Sequence, residues 1–396
     1  MRPAARRWLI VAALFAVTYG VATPLAAYGV FLPLLAESFG WSRGAISMAL
    51  SINLVLGGLG GFVLGALADR YDPRMMLTLT VALNGAAFAL VSVVSELWQL
   101  YLFVGLMGGV GMSTFYLLSA TTVSRWFAER RGLALGLVLV GFNLGYISAG
   151  PLAAWLIATV GWRGAYGLLG GGCGLVSTLA ALTVRLPRGS EVSDGRPSAP
   201  PARTSLRGAL EDPRQWSLNA AWLLLGGVAF MLSVHAVPFA RDRGVGLAGA
   251  SLALTAYGVG AVSGRLAAGV VSDRIGILPT IRAAYVVLTV ALASLLWVPS
   301  REALLVALAA FGIGFAAADT MIVKVIPDVF GVRTIGVIMG VMALGWRLGA
   351  AVGPVLAGFV YDLTGSYALP FGATPFAVLL SWGFFALATS RRLRRM

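Results

Sequence analysis

Four ionisable side chains lie inside long apolar runs: Arg265, Arg347, Asp319 and His235, the one histidine among 396 residues. A charge inside a bilayer is costly, so such a residue is a functional candidate by default. Arg347 sits in the middle of GVIMGVMALGWRLGAAVGP (336–354), flanked by Trp346, Leu348 and small residues. A helix through that run keeps the guanidinium wet only by turning it toward a cavity. Arg265 is placed similarly in another run. Arginine stays charged and offers a planar fork that grips a carboxylate through two parallel hydrogen bonds, so the pair suits an organic anion. With Asp319 ionised the three groups sum to +1, which fits a monoanion; with it protonated they sum to +2, which fits a dianion or an anion plus a proton. Burial favours the acid and a neighbouring arginine favours the carboxylate, and that competition could couple a proton to a substrate. The alternative for Asp319 is a fixed salt bridge to Arg265 or Arg347 with a structural role only. His235, just before Pro238, is either an entry point for protons or an interfacial residue with satisfied hydrogen bonds.

Such residues need membrane-crossing elements to hold them. The chain is 59% hydrophobic and 11% charged, against about 25% charged in soluble domains. A hydrocarbon core of ~30 Å takes about 20 apolar residues at 1.5 Å each. Twelve runs qualify: 8–34, 44–67, 75–94, 98–124, 132–160, 163–184, 215–239, 249–272, 279–298, 302–326, 333–360 and 368–388. The Pro-, Ser- and Arg-rich stretch 185–214 reads as a cytoplasmic linker with a short helix around 205–210. It divides the chain into six-helix halves, 1–184 and 215–396.

Orientation follows from the basic residues. With the N-terminus inside, 22 of the 29 lysines and arginines fall on the inner side and 5 on the outer, the other two being Arg265 and Arg347; both termini are therefore expected in the cytoplasm. Span 8 then runs inward, and Arg265, about eight residues above Asp273, lies roughly 12 Å deep. Arg347 falls near the midplane. The opening RPAARRWLIVAALF, with small residues near Ala26 and Ala27, has the outline of a signal peptide, but its removal would leave eleven spans. The net charge of +14 does not indicate nucleic acid, because the basic residues form short clusters between apolar runs. Cys173 is the only cysteine, so no intrachain disulfide can form.

The halves repeat each other. GALADRYDPR (65–74) follows span 2 and GVVSDRIG (269–276) follows span 8. Gly132, Gly136, Gly141 and Gly145 in span 5 match Gly336, Gly340, Gly345 and Gly349 in span 11 at one offset, and the pairs Gly150-Pro151 and Gly353-Pro354 slip by a single residue. Duplicated six-span halves are the mark of a secondary transporter with its site at the midplane between them. The glycines allow close helix approach, here expected to serve the rocking of one half on the other.

The loop G-x-x-x-D-R at Gly65, Asp69 and Arg70, continued by Asp72, Pro73 and Arg74, resembles the loop motif of the major facilitator superfamily, with its echo at Gly269, Asp273 and Arg274. The resemblance covers all twelve spans and implies an all-α membrane fold of two pseudo-symmetric halves. It implies gating roles for Gly65, Asp69, Arg70, Arg74, Asp273 and Arg274, with Asp69 meeting the positive N-terminus of span 11. One basic residue in span 8 and one in span 11 resemble the oxalate–formate antiporter branch. A span-8 arginine, with YGVFLPLLAESFGWSRGAIS (28–47) and WFAERRGLALG (126–136), resembles the monocarboxylate transporters. Two departures keep substrate identity open. Ala261 stands where animal monocarboxylate transporters place an aspartate, and Arg347 stands where the oxalate branch has lysine.

In the first half the expected pathway-lining groups are Tyr28, Asn53, Tyr116, Asn143 and Tyr146; Asn143 occupies the repeat position of Arg347. The tyrosines serve equally well as packing. Trp8, Trp98, Trp297 and Trp382 suit an interfacial belt. No metal-ligand spacing, P-loop or catalytic triad occurs, so no cofactor is expected and gradients must drive transport. The expectation is a multi-pass inner-membrane carrier of a small organic anion, with a proton or counter-anion as coupling partner; the family implies a monomer. Two transport alternatives are an anion antiporter of oxalate–formate type and a drug or metabolite exporter. The Gly-Pro end of span 5 partly resembles the drug–proton antiporter motif but continues as Leu152-Ala153-Ala154. A sensor of the same fold would need a larger soluble module than the linker provides.

Overall fold

A bilayer offers the backbone no hydrogen-bonding partner, so each apolar segment satisfies its own amides as a helix. The computed structural model describes residues 3–67, 71–127, 130–185, 211–298, 300–330 and 335–390. These form α1 (Pro3–Phe39), α2 (Arg43–Leu67), α3 (Pro73–Leu90), α4 (Leu97–Trp126), α5 (Arg131–Thr183), α6 (Pro213–Asp242), α7 (Leu247–Ile275), α8 (Ile277–Ser294), α9 (Arg301–Phe330), α10 (Ile335–Thr364) and α11 (Ala368–Thr389). There is no strand among the described residues. The chain divides into two compact units, Met1–Trp41 with Met48–Ser198, and Ser42–Ser47 with Ala199–Met396.

Eleven helices supply twelve passes because α5 is two. Its 53 residues would run ~80 Å as one rod, more than twice the hydrocarbon thickness. Gly161 breaks it at φ 71° and ψ 169°, a conformation open to glycine and strained for other residues. The neighbours on α1 show that the chain reverses there. The Thr18 hydroxyl donates to the Val138 carbonyl at 2.7 Å, and Tyr19 meets Ser148 at 3.1 Å, so the first leg runs parallel to α1. Gly20 abuts Cys173 and Ser177, and Phe31 stacks on Tyr166 at 3.8 Å, so the second leg runs antiparallel.

Two helices start by the same local device. Asp72 and Asp212 cap α3 and α6, each accepting a hydrogen bond at 2.9 Å from the backbone N–H of the arginine two residues on, with proline at the first helical position. Proline costs nothing there, since its missing donor would be unpaired anyway. The helix foreseen at 205–210 lies outside the described residues.

Inside the first unit, α4 carries a π-helical stretch, Tyr101–Met107, and breaks at Met112–Thr114 before resuming at Phe115. The Asn53 amide donates to the Val104 carbonyl at 2.7 Å, inside the irregular stretch. Asn53 was expected to line the pathway; it is fully buried and serves α4's backbone instead.

The repeated glycines form seams within each unit. On α5, Gly141 lies against Phe15 and Thr18 of α1, and Gly145 against Tyr19 and Ala22. On α10, Gly345, Gly349 and Gly353 lie against Asn219, Leu223 and Gly227 of α6, three contacts at constant spacing. The close helix approach expected of these glycines is present, and the described contacts join span 5 to span 1 and span 11 to span 7. A third close pair joins α7 to α9, where Gly264 has no room for a Cβ against the Ile313 backbone.

Candidate anion site

That α7–α9 contact sets the geometry of Arg265. The residue follows Gly264 directly, so its side chain leaves the helix beside α9. Its guanidinium Nη2 donates to Oδ2 of Asp319 at 3.0 Å. Asp319 lies six residues beyond Ile313, and the long arginine side chain covers that distance along the groove. The other carboxylate oxygen, Oδ1, accepts the indole N–H of Trp222 on α6 at 2.6 Å. The aspartate is thus held by a charged donor from α7 and a neutral one from α6. Arg265 keeps 45% of its side chain exposed, Asp319 only 17%.

Trp222 leads to the second arginine. Its ring centroid lies 6.5 Å from that of Trp346 on α10, which also receives Phe230 edge-on at 5.4 Å. Arg347 is the next residue. It is partly buried and, among the described residues, forms no hydrogen bond or ion pair. The Trp346 indole nitrogen beside it is buried without a partner among the described residues. Orphan donors of this kind are uncommon in a folded interior and call for an explanation. Of the two arginines in the middle of these spans, Arg265 is paired with Asp319 and Arg347 has no acidic partner among the described residues.

The first-half candidates are less uniform. Tyr28 is fully buried and Tyr116 is 53% exposed. Asn143 and Tyr146 are partly buried, Tyr146 packing on Phe142 at 5.3 Å and Phe142 on Phe115 at 5.6 Å. They share the first unit.

His235 is fully buried. Its Nε2 lies 2.8 Å from the Pro354 carbonyl, which can only accept, so Nε2 carries the proton and Nδ1 accepts from the Tyr367 hydroxyl at 2.8 Å. Tyr367 in turn accepts from Arg43 at 3.0 Å, and Arg43 forks onto both oxygens of Asp242 at 2.8 Å. Asp362 accepts the backbone N–H groups of Arg43 and Gly44 at 2.9 and 2.8 Å. All these residues belong to the second unit, which includes Ser42–Ser47. Both ring nitrogens of His235 therefore have hydrogen-bond partners.

Of the gating residues, Asp69 and Arg70 lie outside the described residues, as do 331–334 before α10, so their foreseen meeting is not described. Gly65 is helical in α2 and Arg74 opens α3. Asp273, in the last turn of α7, pairs with Lys324 of α9, whose ammonium also donates to Ser272 at 2.8 Å. Sequence reasoning missed Lys324, Trp222 and the Arg43–Asp242 pair. Each is an ordinary residue until helix packing gives it a partner. Trp8, Trp98 and Trp297 are exposed as a belt requires, whereas Trp382 is half-buried against Tyr285 at 5.3 Å.

Two halves of six passes, a glycine seam repeated in each, and charged groups held inside the spans define a secondary carrier. The Major Facilitator Superfamily profile matches residues 8–300 and 230–395, and the chain belongs to that family. It is 31% identical to human monocarboxylate transporter 11 over 98% of this chain and 83% of that one. It is 27% identical to bovine monocarboxylate transporter 13 over 92% and 85%, and 25% identical to an uncharacterised transporter of the superfamily, YhjX of Escherichia coli, over 78% and 76%. Among solved structures it superposes on a bacterial homologue of the human lysosomal transporter Spinster, inward-facing and unoccupied, with TM-score 0.80 and 17% identity over 97% of each chain. A mutant of the nucleoside transporter NupG follows at TM-score 0.78 and 13% identity, over 96% of this chain and 100% of that one. At those identities the structures speak for the fold alone. The chain is a membrane transporter and not an enzyme.

Proposed function

We propose that this transporter carries a small organic anion, a monocarboxylate, by alternating access and in symport with a proton. The observation that carries the reading is the unneutralised Arg347. An arginine within a membrane span, with no acidic partner among the described residues, is costly to keep unless a mobile anion supplies the missing charge. Arg265 already faces Asp319, so the cluster holds a net +1, and one carboxylate balances it. Protonation of Asp319 would free Arg265 to take part in the grip, which links anion to proton. The names borne by the relatives, monocarboxylate transporters, support the same substrate class. Its basic-residue distribution supports cytoplasmic termini, and the family resemblance supports a monomer in the inner membrane.

The test is thermal stabilisation of the purified protein by a panel of mono- and dicarboxylates. A ligand at 100 times its dissociation constant stabilises by about 2.7 kcal/mol. One monocarboxylate is expected to raise the melting temperature of the wild type and to leave Arg347→Gln and Arg265→Gln unmoved. Equal responses in wild type and both variants would return the arginines to a structural role and bring the exporter reading forward.

A further inference from the structure

The Arg265–Asp319 pair has a third member that neither the family resemblance nor the charge count requires. Trp222 reaches Asp319 from α6, while Arg265 comes from α7 and Asp319 itself stands on α9. We propose that Trp222 is the positioning residue of this pair: its indole N–H fixes one carboxylate oxygen, turns the other toward Arg265, and thereby sets the pH at which the pair opens. The proposal rests on the proton-coupled reading above for its role in transport, but not for its chemistry.

The argument is geometric. A carboxylate held only by Arg265, whose own side chain is 45% exposed, could rotate and follow the arginine. A second donor at 2.6 Å removes that freedom, because Oδ1 and Oδ2 are now bound from different helices. Trp222 is only 9% exposed and its ring packs near Trp346, so it does not swing with the pair. An indole N–H can donate but never accept. It can therefore bond the carboxylate oxygen, but cannot receive the proton of a carboxylic acid. A donor of that kind favours the ionised form.

Other groups around Asp319 do not duplicate this. From α8, Tyr285 lies within electrostatic reach, but its hydroxyl is engaged with Ser381 at 2.7 Å. On α9 itself Lys324 is taken up by Asp273 and Ser272. From α10 the charged group is Arg347, and α11 carries no ionisable residue between 368 and 389. Arg282, near the start of α8, forms no ion pair among the described residues. Trp222 and Arg265 are the two donors on the carboxylate.

The experiment is an infrared pH titration of the full-length protein in liposomes, without any ligand. The carbonyl stretch of a protonated buried carboxyl is read directly and assigned to Asp319 by its loss in Asp319→Asn. Trp222→Phe keeps an aromatic ring and deletes the donor; its midpoint is expected to move to higher pH by about half a unit or more, a threefold or larger gain in proton affinity. Trp222→Gln restores an N–H donor of similar reach and is expected to return the midpoint toward wild type. An unshifted midpoint in Trp222→Phe, or a Gln variant shifted as far as the Phe variant, overturns the proposal. So does the absence of any band that Asp319→Asn removes. Proton-coupled uptake is scored separately, with lactate and pyruvate as probes at two external pH values. A Trp222-dependent midpoint combined with pH-independent uptake would leave the positioning role standing and remove only the coupling reading.

Discussion

Tyr367 bridges a buried histidine and an arginine. Its hydroxyl donates to His235 and accepts from Arg43. Burial pushes its ionisation well above the ordinary tyrosine range, even beside the Arg43 charge, so it remains a neutral donor at any physiological pH. Tyr367→Phe leaves the His235 nitrogen without a donor inside the unit, and the expected loss is about 1–3 kcal/mol, measured as a lower melting temperature. Asp212 gives a prediction with a pH signature. Partial burial works against its ionisation, but the hydrogen bonds from Arg214 outweigh it and hold the carboxyl below its usual range. A depressed value stabilises the fold fully above the unfolded-state value of about 3.9 and is lost as pH falls through the lower folded value. Asp212→Ala should therefore cost about 1 kcal/mol at neutral pH, and the gap to wild type should close in strong acid. At this scale the sequence exposed Arg265, Arg347 and Asp319, because charges stand out in apolar runs. It hid Trp222 and Tyr367, whose roles depend on which helix lies opposite.

Helix seams make a different demand. Gly349 touches the backbone of Leu223, where a Cβ would collide with a carbonyl oxygen that cannot move aside. Gly349→Val should force α6 and α10 apart, at a cost of about 1–3 kcal/mol for overpacking and with Trp346 dragged from Gly226. Gly340, on the same helix, has open space where its Cβ would go; Gly340→Ala is expected to leave the melting temperature unchanged or raise it slightly, since alanine favours a helix. Comparing the two melting curves separates a seam from mere glycine content. The spacing of these glycines was readable in the sequence, and so was their recurrence in both halves. Their partner was not, because periodicity gives the face of a helix and says nothing about what covers it. The π-helical stretch in α4 was likewise invisible; Asn53 reaches one carbonyl inside it, at Val104, and Asn84 reaches the carbonyl of Gly108 just past its end.

Over the whole molecule, length and hydropathy were enough for twelve passes, and the excess of arginine on one side of the spans is the ground of the proposed orientation. With both termini cytoplasmic as proposed, a fluorescent reporter fused after Met396 should mature and glow. A phosphatase active only outside the membrane should work when inserted at Gly244, in the turn after α6; the reverse pattern would invert the proposed orientation. The reversal at Gly161 carries a further consequence for how the protein is made. The turn is so short that α5 remains helical on both sides of one residue, which leaves no slack between its legs. The two legs are expected to enter the bilayer together as a hairpin, against α1, which is made earlier and touches both.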